Sequence, residues 1–141
     1  MRLPEPSDLC LLLVRTDYSD QQAWRAALAA ATAVYEVGDF PRMGACLEPV
    51  ESPDLAGLTP HDLVHLPRAG YVGQLAVADA QTMRDQTVLF IDLNTYNDQV
   101  GRTFRAIPQQ VEGIASNLTI ANMDFFEYAD AADPDGVFRG F

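Results

Sequence analysis

Apolar residues run without a break from residue 9 to residue 14, with the sequence LCLLLV. A run of this length is typical of a strand buried on both faces, and such strands are usually parallel and covered by helices. The following apolar positions have helical spacing and predict an amphipathic helix over residues 20–35. Its apolar stripe consists of Trp24, Ala27, Leu28, Ala31 and Tyr35.

Four later segments have the composition of strands. GACLEPV at residues 44–50 predicts the second strand, and VGQLAVAD at 72–79 and TVLFIDLN at 87–94 predict two core strands. The short segment between the two core strands has room for one helical turn. GRTFRAIP at residues 101–108 predicts a fifth strand, paired with the fourth as a hairpin.

Three further segments are predicted to be helical. Thr59 and Pro60 are residue types that favour the N-cap and the first helical position, and Pro67 ends this short helix. A second helix buries the face formed by Val111, Ile114, Ala115 and Leu118. The last begins near Asn122 and carries Phe125, Phe126, Ala129 and Ala132. We therefore predict a single α/β domain over residues 1–141, with a mixed, largely parallel sheet of about five strands flanked by helices.

The net charge of the chain makes some kinds of binding partner more plausible than others. The chain has 20 acidic residues against 9 basic ones, and its net charge is −11. Nucleic acids are bound mainly through basic patches, so a nucleic-acid partner is not expected, whereas a cationic protein would be attracted. The alternative is an acidic surface that keeps the protein in solution without any such partner.

Two further features concern location. No stretch approaches the length of a membrane span, and MRLPEPSD at the start lacks the basic and apolar regions of a signal peptide. Cys10 and Cys46 lie in apolar, strand-like segments and do not imply an oxidising compartment. We therefore expect a cytoplasmic protein with no membrane partner.

Polar side chains follow the first buried strand, in VRTDYSDQQAW. Ser19 and Gln22 match a capping box, S-x-x-Q, and need no functional explanation. Arg15, Asp17 and Tyr18 remain, at the carboxyl end of a central strand, where open α/β sheets bind their ligands.

Asp79 and Asp92 end two other predicted strands. If all these strands are parallel, both carboxylates join Asp17 at one edge of the sheet and form a site for a small ligand or Mg²⁺. The alternative is structural, because aspartates at strand ends often cap the following turn.

HDLVH places His61 and His65 on one face of the short helix, a pattern similar to the zinc-protease motif H-E-x-x-H. Pro67 cuts the helix short, and with 2 histidines in the chain a third zinc ligand would have to be a carboxylate or a cysteine. The sequence also lacks a glycine-rich phosphate loop, C-x-x-C and G-x-S-x-G. We predict no metal, no cofactor and no catalytic residue.

Acidic residues recur every three positions on the last predicted helix. They are Asp124, Glu127, Asp130 and Asp133. Such a ridge, backed by aromatic residues, suits docking of a basic protein surface, although a solvated helix face is the alternative. The tail DGVFRGF adds Phe138 and Arg139, residue types favoured at interfaces, and suggests a homodimer as a third hypothesis. Packing of the tail on the core is the simpler alternative.

LLLVRTDYSDQQAW near the start and NLTIANMDFFEYADAADPDGVFRGF at the end resemble a family of small actinobacterial proteins known only as a domain of unknown function. The resemblance spans most of the chain and implies a bacterial, cytoplasmic origin, but no mechanism. Our leading hypothesis is a non-catalytic protein-binding domain, immunity-type or regulatory, that docks a cationic partner through the acidic C-terminal helix. The alternative is a small enzyme or small-molecule-binding domain with its site at the carboxyl edge of the sheet.

Overall fold

The computed structural model describes residues 1–36 and 43–141. Six strands, five α-helices and one 3₁₀ turn, Pro53–Leu55, are described. The strands are β1 (Leu11–Arg15), β2 (Leu47–Val50), β3 (Gln74–Ala78), β4 (Val88–Asp92), β5 (Thr103–Ala106) and β6 (Val137–Phe138). The helices are α1 (Gln21–Thr32), α2 (Pro60–Val64), α3 (Ala80–Asp85), α4 (Pro108–Thr119) and α5 (Phe125–Ala131).

The six strands form one mixed sheet in the order β2-β1-β3-β4-β5-β6. β1 is parallel to β2 and β3, and β6 is parallel to β5, whereas β4 is antiparallel to both of its neighbours. The predicted α/β domain with a largely parallel mixed sheet is confirmed, as is the β4–β5 hairpin. The direction of β4 decides which side chains share an edge of the sheet, because its carboxyl end lies with the amino ends of the other strands.

Both faces of the sheet are buried, as the apolar run in β1 predicts. Leu11 and Leu13 point to a core formed with α1, α4 and α5, in which Phe90 and Phe104 stack with their ring centroids 5.1 Å apart. Leu12 on the opposite face packs into a second core, which includes Leu3 and Leu63 from the N-terminal segment and α2. A strand buried on both sides needs this continuous apolar sequence.

Helix α1 differs in detail from its prediction. Its N-cap is Asp20, whose side chain accepts a hydrogen bond from the amide of Ala23, so the predicted Ser19 capping box is wrong. The Ser19 hydroxyl instead donates to Asp17 Oδ1 over 2.6 Å. The helix ends at Thr32, three residues before the predicted end, because Ala33 is already extended at φ −64° and ψ 153°.

Cys10 and Cys46 form a disulfide with their Cα atoms 4.8 Å apart. They immediately precede Leu11 and Leu47, which are partners in the β1–β2 ladder, so the parallel register brings the two cysteines side by side. The bond ties the edge strand β2 to the centre of the sheet. The apolar, strand-like setting of the two cysteines did not predict this bond, which depends on the β1–β2 register.

The C-terminal tail completes the sheet instead of projecting from it. Val137 pairs with Arg105 in parallel register, and Phe138 is 1% exposed. In residues 1–36 and 43–141, helices of the length and hydrophobicity needed to cross a membrane are absent.

Candidate functional site

The carboxyl edge of β1 is closed by a buried arginine. Arg15 is 2% exposed, and its guanidinium group lies 4.4 Å from the ring centroid of Tyr18 and 5.1 Å from that of Trp24. Its Nε donates to the Asp17 carbonyl over 2.8 Å, and its Nη1 donates to the side chains of Gln21 and Glu51 over 2.8 and 2.9 Å. Arg15 therefore fastens the turn from β1 into α1 to the segment after β2.

Asp17 and Tyr18 also hold loops at this edge. Asp17 Oδ1 accepts hydrogen bonds from the Ser19 amide and hydroxyl, an arrangement typical of an Asx turn. The Tyr18 hydroxyl accepts from the Ser52 amide over 2.8 Å and so joins this turn to the segment after β2. These contacts account for VRTDYSDQQAW structurally.

Asp79 lies at the same edge and has two structural roles. Its side chain caps α3 by accepting from the Thr82 amide, and both of its carboxylate oxygens are bound by the Arg105 guanidinium. Burial raises the pKa of Asp79, but the hydrogen bonds from Arg105 and Thr82 outweigh it and hold the pKa below its ordinary value. A carboxylate engaged in this way has little capacity left for a ligand.

Asp92 does not join the predicted cluster. β4 is antiparallel to β3, and Asp92 lies opposite Gln74 at the start of β3. The connection through α3 has only nine residues between the strands (79–87), whereas a parallel crossover needs about a dozen or more. The predicted site formed by Asp17, Asp79 and Asp92 at one edge is therefore wrong.

Asp92 instead lines a cleft of about 720 Å³ at the amino edge of the parallel strands. The N-terminal segment before β1, the start of β3, the loop after β4 and the α4–α5 connection surround it. Its lining contains five acidic residues and, among the residues that the structure describes there, no arginine, lysine or histidine. The acidic residues are Glu5, Asp8, Asp92, Asp98 and Asp124.

The cleft also presents apolar side chains to solvent. Leu9 is 66% exposed, Tyr71 63%, Tyr96 90% and Phe126 45%. The Tyr71 hydroxyl lies close to the backbone at Gly73, where a Cβ would approach it to 3.0 Å. Exposed apolar groups gathered at a polar-rimmed surface are typical of a binding site.

Backbone strain is present at the same place. Leu9 and Ala121 have φ angles of 63° and 54°, in the left-handed region that ordinary side chains avoid, and both line the cleft. Such conformations cost free energy and are enriched at functional sites. The turn at Leu9 is supported by the hydrogen bond from the Cys10 amide to the Ser7 carbonyl, and Cys10 itself is held by the disulfide.

Asp92 is the buried carboxylate of the cleft. It is 2% exposed, its Oδ1 accepts from the Asn94 amide over 2.9 Å, and its Oδ2 accepts from the Asn97 side chain over 3.2 Å. Burial raises the pKa of Asp92 above its ordinary value, and these two hydrogen bonds together with the charge of Arg102 offset the effect only in part.

The acidic residues of α5 are divided between structural contacts and the cleft. Asp124 and Glu127 form a capping box, in which Glu127 accepts from the Asp124 amide over 2.8 Å. Asp130 pairs with Arg102, and Asp133 pairs with Arg139 over 2.6 Å. The predicted ridge is therefore not a free row of carboxylates. Within α5 and its cap, the residues that line the cleft are Asp124, Phe125 and Phe126, of which Phe125 is buried and the other two are exposed.

The tail residues are engaged within the protein as well. Phe138 contacts Tyr128 edge to face, with the ring centroids 5.1 Å apart, which explains its burial. Arg139 binds Asp133 and Asp135, and hydrogen bonds from Arg139 and from the Val137 amide lower the pKa of Asp135. Phe138 is therefore not available as an interface anchor.

The histidine pair is held by local contacts. His65 Nδ1 lies 2.8 Å from the His61 carbonyl oxygen, and Asp62 forms a capping box with Thr59, which is the predicted N-cap. Over residues 1–36 and 43–141, no three or more His, Cys, Asp or Glu side chains are grouped so that they could hold a metal ion.

The cleft was missed by sequence reasoning because its lining comes from four distant segments. One signal was available: Tyr71 and Tyr96 are large aromatic residues within glycine-rich or polar loops, where packing does not require them. The fold and the site together define a small α/β domain with an acidic, aromatic-lined cleft at the amino edge of its sheet.

The chain belongs to the family described as domain of unknown function DUF6924, whose model matches residues 10–141. The resemblance to an uncharacterised family is thereby confirmed. No curated protein and no solved structure matches the chain significantly.

Proposed function

We propose that this domain is a non-catalytic binding protein that docks a cationic protein segment in the cleft at the amino edge of the sheet. The observation that carries the proposal is the cleft lining, with its five acidic residues, no described basic residue and exposed aromatic rings. A basic segment placed there is attracted by every charged side chain of the lining, because all of them are acidic. Neutralising such a segment would suit an immunity-type or regulatory protein.

The aromatic residues favour arginine in the partner. Guanidinium groups are weakly hydrated and stack on the faces of tyrosine and phenylalanine rings. Tyr71, Tyr96 and Phe126 offer such faces next to the carboxylates of Asp98 and Asp124 in the same lining. Leu9 adds an apolar contact, so the best occupant is a segment in which arginine alternates with apolar residues.

Charge outside the cleft has a supporting role. Asp130 and Asp133 are paired with arginines, but the net charge of −11 surrounds the site with a negative field that speeds the approach of a cation. The contribution of α5 to docking is therefore Asp124 and Phe126 at the cleft wall, with the outer acidic residues acting at long range.

The alternative site at the carboxyl edge has less support. Arg15 and Asp79 are committed to Glu51 and Arg105, and Asp17 and Tyr18 hold the adjoining turns. A ligand there would have to break contacts on which the loops depend. A cytoplasmic location stays a prediction, and the disulfide weighs against it because such bonds are rare in a reducing cytosol.

The test is the affinity for a fluorescein-labelled peptide of arginine and leucine, measured by fluorescence anisotropy. Asp8→Asn/Asp98→Asn removes two charges from the cleft, and Glu36→Gln/Asp54→Asn removes two exposed charges elsewhere, so both variants change the net charge from −11 to −9. We expect the cleft variant to lose roughly fivefold or more in affinity and the control variant to lose much less. Equal losses would mean that the peptide responds only to net charge, and would contradict the proposal.

A further inference from the structure

The position of Asp92 gives it a special role among the acidic residues of the cleft. Glu5, Asp8, Asp98 and Asp124 are exposed, whereas Asp92 is 2% exposed and lies at the inner wall, where β4 ends. A charge at this depth interacts strongly with any cation that reaches it, because less water screens the pair.

The carboxylate of Asp92 has unused acceptor capacity. An ionised carboxylate can accept about four hydrogen bonds, whereas Asp92 accepts one at each oxygen. Arg102, the cation that acts on Asp92 through its charge, has its guanidinium group committed to Gln99 and Asp130. Asp92 is therefore a buried carboxylate without an arginine bound to it.

The hydrogen bond from Asn97 is the replaceable one. Asn97 is exposed, and its Nδ2 donates to Asp92 Oδ2 over 3.2 Å, the longer of the two bonds. Asn97 Oδ1 separately accepts from the Gln99 amide over 2.8 Å, and Asn94 Oδ1 accepts from the Tyr96 amide over 2.9 Å. These two contacts keep the loop in place when the Nδ2 bond is lost.

We propose that Asp92 is the anchor of the cleft and that it binds the guanidinium group of an arginine in the docked segment, which takes the place of Asn97 as the donor to Oδ2. This assignment rests on the proposed function and names the chemical group that the cleft selects. It also gives a reason for a buried carboxylate whose hydrogen-bond partners in the described structure, Asn94 and Asn97, are both uncharged donors. Since burial raises the pKa of Asp92, an arginine bound there lowers that pKa again.

The experiment combines a protein variant with a peptide variant. Wild type and Asp92→Asn are titrated by calorimetry with the arginine–leucine peptide and with a matched peptide in which citrulline, a neutral isostere, replaces arginine. We expect Asp92→Asn to weaken binding of the arginine peptide by about tenfold or more. The citrulline peptide should bind weakly and equally to both proteins.

Two further measurements exclude a structural explanation. The carboxyl ¹³C shift of Asp92, followed against pH, should show a lower pKa when the arginine peptide is present. Asn97→Ser removes the donor to Asp92 but keeps a side-chain oxygen that can accept from the Gln99 amide, so it should leave the affinity unchanged or raise it.

The outcomes separate the inference from the proposed function. If Asp8→Asn/Asp98→Asn weakens binding while Asp92→Asn and the pKa of Asp92 do not respond, the cleft binds cations but Asp92 is not the anchor. If wild type binds the arginine and citrulline peptides equally, the anchor and the cationic partner are both refuted.

Discussion

Removal of the Cys10–Cys46 disulfide should destabilise the domain substantially. The two cysteines are 36 residues apart in the sequence and close a loop that contains α1. The chain-entropy model assigns a crosslink of this span about 4 kcal/mol, obtained by restricting the unfolded chain. Whole domains are stable by only about 5–15 kcal/mol, so the bond accounts for a large share of the total.

The assay is urea unfolding of the oxidised protein, the reduced protein and Cys10→Ser/Cys46→Ser, followed by the fluorescence of Trp24. With a denaturant slope of about 2 kcal/mol/M, a loss of about 4 kcal/mol moves the midpoint down by roughly 2 M. The reduced protein and the double variant should agree, and a reductant should have no effect on the variant. Equal midpoints for the oxidised and reduced proteins, or two free thiols in the unreduced protein, would refute the reasoning.

Three other predictions concern single side chains. Arg15→Lys keeps the positive charge but loses the hydrogen bonds that need the guanidinium geometry. Urea unfolding should show that the free energy of unfolding falls by about 1–3 kcal/mol. An unchanged midpoint would contradict the structural role of Arg15. Burial raises the pKa of Asp79, but the hydrogen bonds that Asp79 accepts outweigh burial and hold the pKa below 3.8. The ionised Asp79 therefore stabilises the fold above about pH 4, and this stabilisation is lost as the pH falls through the lowered pKa. Arg105→Gln should therefore destabilise the protein at neutral pH by an amount that shrinks on acidification, and a constant difference in unfolding free energy would show that the ion pair is not responsible. The pKa of Asp92 is raised by burial, so wild type should gain stability relative to Asp92→Asn as the pH falls toward that pKa, because protonation removes the cost of burying the charge. A difference in unfolding free energy that does not change with pH would show that burial of the charge is not costly.

The sequence predicts the elements of this fold well, because burial on both faces leaves a clear pattern. The apolar run before Arg15 predicts a central strand, and the stripe containing Trp24 predicts the helix that covers it. Even the short helix α2 begins at the predicted position, since Thr59 and Pro60 have local structural preferences that need no tertiary contact.

Features that depend on the relative placement of distant segments were not predicted. The orientation of β4 follows from the short connection through α3, and it moves Asp92 to the edge opposite Asp79. The two residues of β6 are too few to show a strand pattern, and their pairing with β5 buries Phe138. The cleft is formed by four such segments. The sequence therefore predicts that the protein is acidic, but not which acidic residues lie together on its surface.

The most direct test of the cleft as the binding site is to map the arginine–leucine peptide on the ¹⁵N-labelled protein by NMR. If the peptide binds in the cleft, we expect saturable amide shift changes around Leu9, at Tyr71–Gln74 and from Asp92 to Asp98, with little change near Arg15 and Asp79. Shift changes concentrated at the carboxyl edge, or spread evenly over the acidic surface, would contradict it.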